Sequence, residues 1–326
     1  MPPGPCSRRY AAAFPLENKQ KAMTIKSPVL PPLYPPGTPD PRVNAWRAGM
    51  ASAALEGVIQ SPRFVEGTGQ QIVWPMAPLR RNPDAAAGLD TELLFGETVT
   101  VYDEAEGWAW VQADFDRYVG YVPSGALHAR SAPPSHNVSA IGTFIYPVPD
   151  IKAPLLMHLS LGSQLMIEHR DERFSRLASG GYVINRHIIE KGRHARDFVE
   201  IAERFIGTPY LWGGRTRIGL DCSGLLQICL QAAGQTAPRD SDMQETQLGL
   251  RIKTKDGLDG LERGDLVFWK GHVGIMLDGV MMIHANAHHM AVSVEPLHEA
   301  TARIGKTGSQ ITSIKRLSKT RAARST

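Results

Sequence analysis

The chain has 326 residues, of which 42% are hydrophobic and 21% are charged. This length predicts two or three domains, and the composition can bury real cores, which excludes a chain that is disordered throughout. No stretch reaches the roughly 18–20 uninterrupted apolar residues of a membrane-spanning helix, so a transmembrane protein is excluded. Three cysteines are too few for a disulfide scaffold. Cys6 lies in a tail without a folding pattern, which leaves Cys222 and Cys229 as buried thiols or as a candidate nucleophile.

The net charge of +4 comes from the two ends of the chain. Residues 1–26 hold five Lys/Arg and one Glu, and residues 313–326 hold five Lys/Arg and no acid. The remaining body has 26 basic and 31 acidic residues, a net charge of −5. A basic tail can contact nucleic acid or an anionic membrane, but a solvated tail explains the pattern more simply. We therefore predict no nucleic-acid partner.

The N-terminus lacks the pattern of a secretory signal. The apolar run after Arg8-Arg9 is interrupted at Pro15 and passes into polar residues, where a signal peptide has its apolar core. The sequence therefore predicts a cytoplasmic protein, with a start at Met1 or Met23 left open.

The first predicted element is a proline-rich arm. Seven of the fifteen residues in 27–41 are proline, so we assign residues 1–42 to a disordered or Pro-rich arm. Helical spacing of apolar residues then predicts a short helix between Val43 and Gln60, within a segment assigned to residues 43–68. The residues at this spacing are Val43, Trp46, Met50, Ala53 and Ala54.

Short alternating strands follow and occur twice, over residues 69–130 and 136–192. The first copy has predicted strands at Leu93–Tyr102, Trp108–Ala113 and Tyr118–Pro123. The second copy repeats its landmarks about 60 residues later, which predicts an internal duplication of a small β-barrel. The matched positions are Gly96 with Gly162, Trp108 with Phe174, Val111 with Leu177, and Gly120-Tyr121-Val122 with Gly181-Tyr182-Val183.

Residues 195–316 show helices first and strands later, which is typical of an α+β domain. One helix is predicted from Phe198 to a stop at Gly207, and a second from Cys222 to a stop at Gly234. Four strands are predicted at Asp265–Trp269, His272–Leu277, Met281–His284 and Ala291–Val294. Residues 317–326, after this domain, are predicted to be a basic tail.

Cys222 has the setting of a nucleophile. It begins a predicted helix, where free N–H groups and the helix dipole stabilise a thiolate. Cys229 occupies an apolar position of the same helix and fits a buried thiol. His272 begins an apolar strand, and His284 follows on the next strand after the turn at residues 277–279. A hairpin can set the two imidazoles side by side as a base and its orienting partner.

A metal site is not predicted, although His284, His288 and His289 lie close together in the sequence. They lack the His-Glu-x-x-His spacing, and adjacent residues on a strand point to opposite faces. The sequence also has no phosphate-binding glycine loop, so no cofactor is predicted.

Five short motifs in this order resemble the NlpC/P60 family of papain-like cysteine peptidases, and the duplicated segments resemble bacterial SH3-like domains. This resemblance implies an α+β, papain-like NlpC/P60 catalytic domain over residues 195–316, preceded by two small SH3-like β-barrels. It also implies that Cys222 is the nucleophile, His272 the general base and His284 the residue that orients it. The motifs are YLWGG at 210–214, DCSG at 221–224, GDLVFW at 264–269, HVGI at 272–275 and IHA at 283–285.

The resemblance extends to residues beside the nucleophile. It implies that the Tyr210 hydroxyl helps the Cys222 N–H to stabilise an oxyanion, and that Asp221 and Ser223 bind the polar backbone of a substrate. For Asp221, a simple helix N-cap is the alternative.

A narrower resemblance, carried by Pro238-Arg239-Asp240-Ser241, Gln244 and the two SH3-like domains, is to γ-D-glutamyl-L-diamino acid endopeptidases. It implies a murein-peptide substrate with a free N-terminal L-alanine, whose ammonium group meets Asp240, Ser241 and an SH3 tyrosine. Tyr118 is the candidate and Tyr121 the second choice. Glu92 or Glu97 is a possible second acid. A helix N-cap is the alternative role for Asp240.

Two functions compete. The first is a cysteine endopeptidase that cuts murein peptides during cell-wall turnover or recycling, with diaminopimelate or lysine as the third residue. The alternative is a pair of SH3-like modules that bind a wall peptide or a partner beside a weak or vestigial peptidase. The complete Cys222, His272 and His284 set favours the enzyme.

Overall fold

The computed structural model describes residues 37–130, 132–253 and 258–318. Three predicted features lie wholly or partly outside these ranges. They are residues 1–36 of the predicted arm, the Cys6 thiol and residues 319–326 of the predicted basic tail. All elements described below lie in one unit that begins at Pro39. Within the described ranges, no helix is long and apolar enough to span a membrane.

The predicted helix between Val43 and Gln60 is wrong, because this segment forms short strands. They are β1 (Trp46–Arg47), β2 (Met50–Ser52) and β3 (Phe64–Val65), with a 3-10 turn at Ala53–Leu55. A tight turn with Gly49 at φ +84° pairs Arg47 with Met50 and reverses the chain. The apolar spacing instead reflects the packing of Ala45 and Met50 against Trp110 of the first barrel.

The first barrel contains a five-stranded sheet in the order β10-β4-β7-β8-β9, beside a β5–β6 hairpin. Alternate side chains point inward, so the strands bury one apolar set around Leu79, Val99 and Val111. The strands are β4 (Thr68–Ile72), β5 (Met76–Leu79), β6 (Thr91–Leu94), β7 (Thr98–Ala105), β8 (Trp108–Ala113), β9 (Val119–Pro123) and β10 (Leu127–Ala129), with a 3-10 turn at Ser124–Ala126.

The second barrel repeats the strand order of the first, except that two short strands, β14 and β15, stand where the first barrel has β7. Gly96 and Gly162 both adopt positive φ, and the bridge between Arg80 and Tyr121 has its counterpart between Tyr146 and Tyr182. The strands are β11 (His136–Val138), β12 (Gly142–Ile145), β13 (Met157–Ser160), β14 (Gln164–Leu165), β15 (Ile167–Arg170), β16 (Phe174–Leu177), β17 (Tyr182–Ile184) and β18 (Ile188–Glu190), with a 3-10 turn at Asn185–His187.

The C-terminal domain places helices over a six-stranded antiparallel sheet of order β21-β26-β22-β23-β24-β25. The two predicted helices and four predicted strands are present; β19, β20, β21, α4 and β26 were not predicted, and α3 entered only as the helix implied by the N-cap alternative for Asp240. The elements are α1 (Phe198–Glu203), β19 (Arg215–Thr216), β20 (Gly219–Leu220), α2 (Cys222–Ala232), α3 (Ser241–Gln247), β21 (Leu250–Arg251), β22 (Leu266–Trp269), β23 (His272–Met276), β24 (Met281–Asn286), β25 (Ala291–Pro296), α4 (Leu297–Gly305) and β26 (Ile311–Arg316).

A buried ion pair joins the first barrel to this domain. Arg215 on β19 donates from Nη1 and Nη2 to the two carboxylate oxygens of Glu97, at 2.9 and 2.8 Å. Its backbone N–H donates to the carboxylate of Glu92 at 2.8 Å. The suggestion that Glu92 or Glu97 helps to recognise an amine is therefore wrong, since Arg215 engages both carboxylates at the domain interface.

We expect Glu97→Ala to lower the free energy of unfolding by about 3–5 kcal/mol, because it leaves the buried Arg215 charge unpaired. The matched control is Glu203→Ala, which breaks a more exposed pair with Arg263 and should cost at most about 1 kcal/mol. Urea denaturation measures both values. Equal losses in the two variants would contradict the importance of the buried pair.

Candidate active site

The loop before α2 places Cys222 at the start of the helix. Asp221 is the N-cap, and its carboxylate accepts hydrogen bonds from the N–H groups of Gly224 at 2.7 Å and Gly213 at 2.9 Å. The Cys222 side chain is buried beside β23, where the backbone N–H of Val273 lies close enough to lower the pKa of the thiol. The nucleophile thus lies directly beside the peptide that follows His272.

Burial decides the resting state of the thiol. Loss of hydration raises the pKa of Cys222, and the charge of Asp221 raises it further, against the N–H groups of Val273 and Ser223. The Cys222 thiol is therefore neutral at rest and needs a base. Cys229 lies about two helical turns further along α2 in the hydrophobic core, which confirms its predicted role as a buried thiol.

The two predicted histidines meet at the start of the β23–β24 hairpin. His272 Nε2 lies 2.8 Å from His284 Nδ1. The register pairs Ile275 with Ile283, so His272 and His284 are diagonal neighbours on one face of the sheet. Burial is the main cause that lowers the pKa of both, and for His272 the nearby His284 adds to it. Both rings are therefore neutral at rest, as a general base requires.

Two charged residues that the sequence analysis missed, Glu295 and Arg303, extend this chain of contacts. His284 Nε2 lies 2.7 Å from Glu295 Oε1 on β25, and Arg303 on α4 pairs with the same carboxylate. The register pairs His284 with Ser293, which puts Glu295 two residues along on the same face. Glu295 directly follows the predicted strand Ala291–Val294, and this acid at the end of an apolar strand was the available signal.

Tyr210, Asp221 and Ser223, the predicted oxyanion and substrate-binding residues, lie in the segments around Cys222. Tyr210 is half-buried and packs against the core cluster that contains Cys222; burial raises the pKa of Tyr210, and the charges of Cys222 and Asp221 raise it further. Arg239 donates to both oxygens of Asp221 and to Ser223 Oγ. Asp221 is thus the N-cap of α2 and an ion-pair partner; a substrate contact for Asp221 and Ser223 stays a prediction.

The predicted amine-binding residues meet across the domain interface. Tyr118 OH donates to Asp240 Oδ2 at 3.0 Å, and Ser241 is the first residue of α3 next to it. Tyr121, the second choice, instead hydrogen-bonds to Arg47. Asp240 is the N-cap residue of α3, as its alternative role predicted, but its carboxylate makes no capping hydrogen bond and contacts Tyr118 and Arg42 instead.

Asp90 is a further acid near the Tyr118–Asp240 pair, which the sequence analysis did not name. Its Oδ1 accepts from Arg81, while its Oδ2 is buried without a hydrogen-bond partner among the residues that the structure describes. After burial, the charges of Asp240 and Asp90 are what raise the pKa of Tyr118. Asp90 therefore lies beside the Tyr118–Asp240 pair.

One group of side chains has the elements of a metal site but the wrong surroundings. Donor atoms of His284, His289 and Glu295 lie within 4.8 Å of one another. The guanidinium of Arg303 pairs with both oxygens of Glu295 and opposes a second cation there. The cluster is better suited to hydrogen bonding than to coordination.

The lowered pKa values of His272 and His284, about 3 and about 4, predict how stability depends on pH. Both histidines stay neutral in the folded chain but become protonated on unfolding below about pH 6.5. Above that pH the two histidines cause no loss of stability. Below it, the free energy of unfolding falls by up to about 1.4 kcal/mol per pH unit for each histidine. Urea denaturation at a series of pH values should show a shallower loss in His272→Gln/His284→Gln. The exposed His288→Gln is the control, and equal slopes in the wild type and the double variant would contradict the expected burial cost.

Comparisons with known proteins agree with this geometry. The profile of the bacterial dipeptidyl-peptidase SH3 domain matches residues 79–127, and that of the NlpC/P60 family matches residues 207–305. The chain is 29% identical to dipeptidyl-peptidase 6 of Lysinibacillus sphaericus, over 70% of this chain and 91% of that protein. It is 28% identical to γ-D-glutamyl-L-lysine dipeptidyl-peptidase of Bacillus subtilis, over 65% of this chain and 77% of that protein.

Among solved structures, an NlpC/P60 family protein from Bacillus cereus superposes with a TM-score of 0.65 at 21% identity. The match covers 76% of this chain and 99% of that protein, and it shows a shared fold. A helix-borne cysteine, two hydrogen-bonded histidines and the two matched profiles lead to one conclusion: this chain contains a cysteine peptidase domain of the NlpC/P60 type over residues 207–305, with a bacterial dipeptidyl-peptidase SH3 domain ahead of it.

Proposed function

We propose that the protein is an endopeptidase that hydrolyses the γ-D-glutamyl-L-diamino acid bond of murein peptides with a free N-terminal L-alanine. The observation that carries this proposal is the contact of Tyr118, from the first barrel, with Asp240 of the peptidase domain. The names of the relatives support it, since a dipeptidyl-peptidase releases two residues from an N-terminus and must therefore recognise the free amine. The diamino acid of the substrate is lysine or diaminopimelate.

The reaction follows from the geometry of the site. His272 takes the thiol proton as the Cys222 sulfur attacks the carbonyl carbon of the γ-D-glutamyl bond. The Cys222 N–H and the Tyr210 hydroxyl stabilise the oxyanion that forms. His272 then protonates the departing amino group, leaving a thioester, and a water molecule deprotonated by His272 hydrolyses it. The products are a dipeptide with a free carboxylate and the released diamino acid.

The amine-binding group consists of Tyr118, Asp240 and Asp90. Burial raises the pKa of Asp240, while the nearby Arg239 and Arg42 oppose that rise and favour the ionised form. Arg42 also pairs with Asp240 Oδ2 at 2.8 Å. The buried, unpaired oxygen of Asp90 and the Tyr118-bound carboxylate of Asp240 together favour a cation between the two domains.

We further propose that the substrate is a released peptide rather than an intact wall. A peptide still attached to glycan through its alanine has no ammonium group to offer the Asp240 carboxylate. Such a preference would suit recycling, and the cytoplasmic location stays a prediction from the sequence.

The direct test is incubation with L-Ala-γ-D-Glu-diaminopimelate and with L-Ala-γ-D-Glu-L-Lys, with detection of L-Ala-γ-D-Glu by mass spectrometry. Release of the dipeptide from either substrate supports the proposal. Binding of both peptides without cleavage would favour the binding-module alternative.

Cys222→Ala should abolish turnover while the protein stays folded, because it removes the nucleophile and little volume. The matched control is Cys229→Ala on the same helix, which should keep its activity and cost on the order of 1–2 kcal/mol in stability. Dipeptide release and urea denaturation measure the two effects. Turnover that survives in Cys222→Ala but not in folded Cys229→Ala would reverse the assignment.

Selectivity for a free amine should be large, because N-acetylation removes the positive charge that the Asp240 and Asp90 carboxylates are proposed to bind. We expect the N-acetylated tripeptide to be cleaved at least a hundredfold less efficiently in kcat/KM, about 3 kcal/mol in the transition state. Asp240→Asn should lower kcat/KM for the free peptide and so reduce the ratio of kcat/KM between the free and the N-acetylated tripeptide.

Asp242→Asn is the control for that variant, because Asp242 also pairs with Arg42 but is exposed and makes no bond to Tyr118. It should keep most of the discrimination. Equal cleavage of free and acetylated peptide by the wild type would show that the amine is not recognised, even if the peptidase activity stands.

A further inference from the structure

The histidine pair is followed by an ion pair between the buried carboxylate of Glu295 and the partly exposed guanidinium of Arg303. His284 Nε2 lies 2.7 Å from Glu295 Oε1, and Arg303 donates to both oxygens of the same carboxylate. His284 and Glu295 are both buried. The order of contacts from His272 outward is therefore His284, Glu295 and Arg303.

The ionised state of Glu295 fixes the position of each proton in this chain. Although burial opposes it, hydrogen bonds from Arg303 and His284 lower the pKa of Glu295 to about 2. A carboxylate can only accept, so His284 must carry its proton on Nε2 and present a bare Nδ1. That Nδ1 accepts from His272 Nε2, so the proton of neutral His272 lies on Nε2 as well. The free lone pair of His272 is then on Nδ1, where it can accept the thiol proton.

We propose that Glu295, held in place by Arg303, is a positioning residue that selects the reactive tautomer of both histidines and stabilises the imidazolium that forms on His272. It acts through His284 and touches neither the substrate nor the thiol. The role applies to any reaction at Cys222, so it goes beyond the proposed substrate.

The charges around Glu295 come from three directions. His284 faces it from β24, the turn residue His289 lies 4.0 Å from Oε1, and Arg303 faces it from α4 with Glu299 close to its guanidinium. Both Glu295 and Arg303 lie close enough to act on His272, with opposite signs. Neutralising one member of the pair should therefore shift the titration of His272 in the opposite direction to neutralising the other.

The kinetic test compares the pH profiles of kcat/KM for Glu295→Gln, Arg303→Gln and the double variant. Because the resting thiol and imidazole are neutral, the acid limb reports protonation of the histidine pair. Loss of the negative charge should move that limb to lower pH, loss of the positive charge should move it to higher pH, and the double variant should lie near the wild type. Glu295→Ala, which also loses the acceptor, should lower kcat about ten- to a hundredfold with KM changed less than twofold.

Glu203→Gln is the matched control, since it breaks a Glu–Arg pair of the same domain that contacts no histidine. It should leave kcat and the acid limb unchanged. A wild-type kcat in Glu295→Ala, or shifts of the same sign in Glu295→Gln and Arg303→Gln, would overturn the proposal.

A second measurement needs neither a substrate nor a variant. NMR of the wild-type protein with ¹⁵N-labelled histidine reports the tautomer of each ring, and we expect the Nε2–H form for both His272 and His284. The Nδ1–H form on His284 would overturn the proposal even if every variant failed to fold. A failure of the proposed substrate in the cleavage assay would leave this result untouched.

Discussion

Arg239 is the constraint on which both halves of the site depend. It is fully buried, and it donates to Thr91 of the first barrel at 2.7 Å and to the Asp221 carboxylate at 2.7 and 3.0 Å. Asp221 caps the helix that carries the nucleophile, and Asp240 follows Arg239 directly in the chain. One guanidinium therefore fixes the start of α2, the docking of the barrel and the position of the amine-binding carboxylate. A buried charge with this many donors in use holds its neighbours firmly, since any displacement leaves it uncompensated.

Burial also controls the charge of the catalytic groups. Burial disfavours every charge in the site, so Cys222, His272 and His284 rest in their neutral forms. Charge appears only when the thiol proton moves to His272 during attack on a substrate. The permanent charges, on Glu295 and Arg303, lie one histidine away and cancel each other. This arrangement avoids an unpaired buried charge in the resting enzyme and keeps a carboxylate close to the imidazolium when it forms.

The sequence predicted the parts of the site that depend on local pattern. Cys222 follows a turn and opens an apolar helix, and His272 and His284 begin and end a hairpin, so their proximity could be inferred from strand alternation. The pairing of Tyr118 with Asp240 came from family resemblance, because no local pattern joins residues 122 positions apart. Glu92 and Glu97 were considered as binding residues because the sequence does not show that the buried Arg215 donates hydrogen bonds to both carboxylates. The helix predicted near Trp46 failed because Gly49 reverses the chain, and packing on Trp110 then produces an apolar spacing that imitates a helix.

The central claim is that a residue of the first barrel and a residue of the peptidase domain recognise the substrate's amine as one unit. A double-mutant cycle with Tyr118→Phe and Asp240→Asn tests it directly, with the ratio of kcat/KM for free and N-acetylated tripeptide as the measured quantity. We predict that the two changes are strongly non-additive, so that the double variant discriminates about as well as Asp240→Asn alone. Additive effects would show that the two residues act independently and would contradict a binding site shared by the two domains.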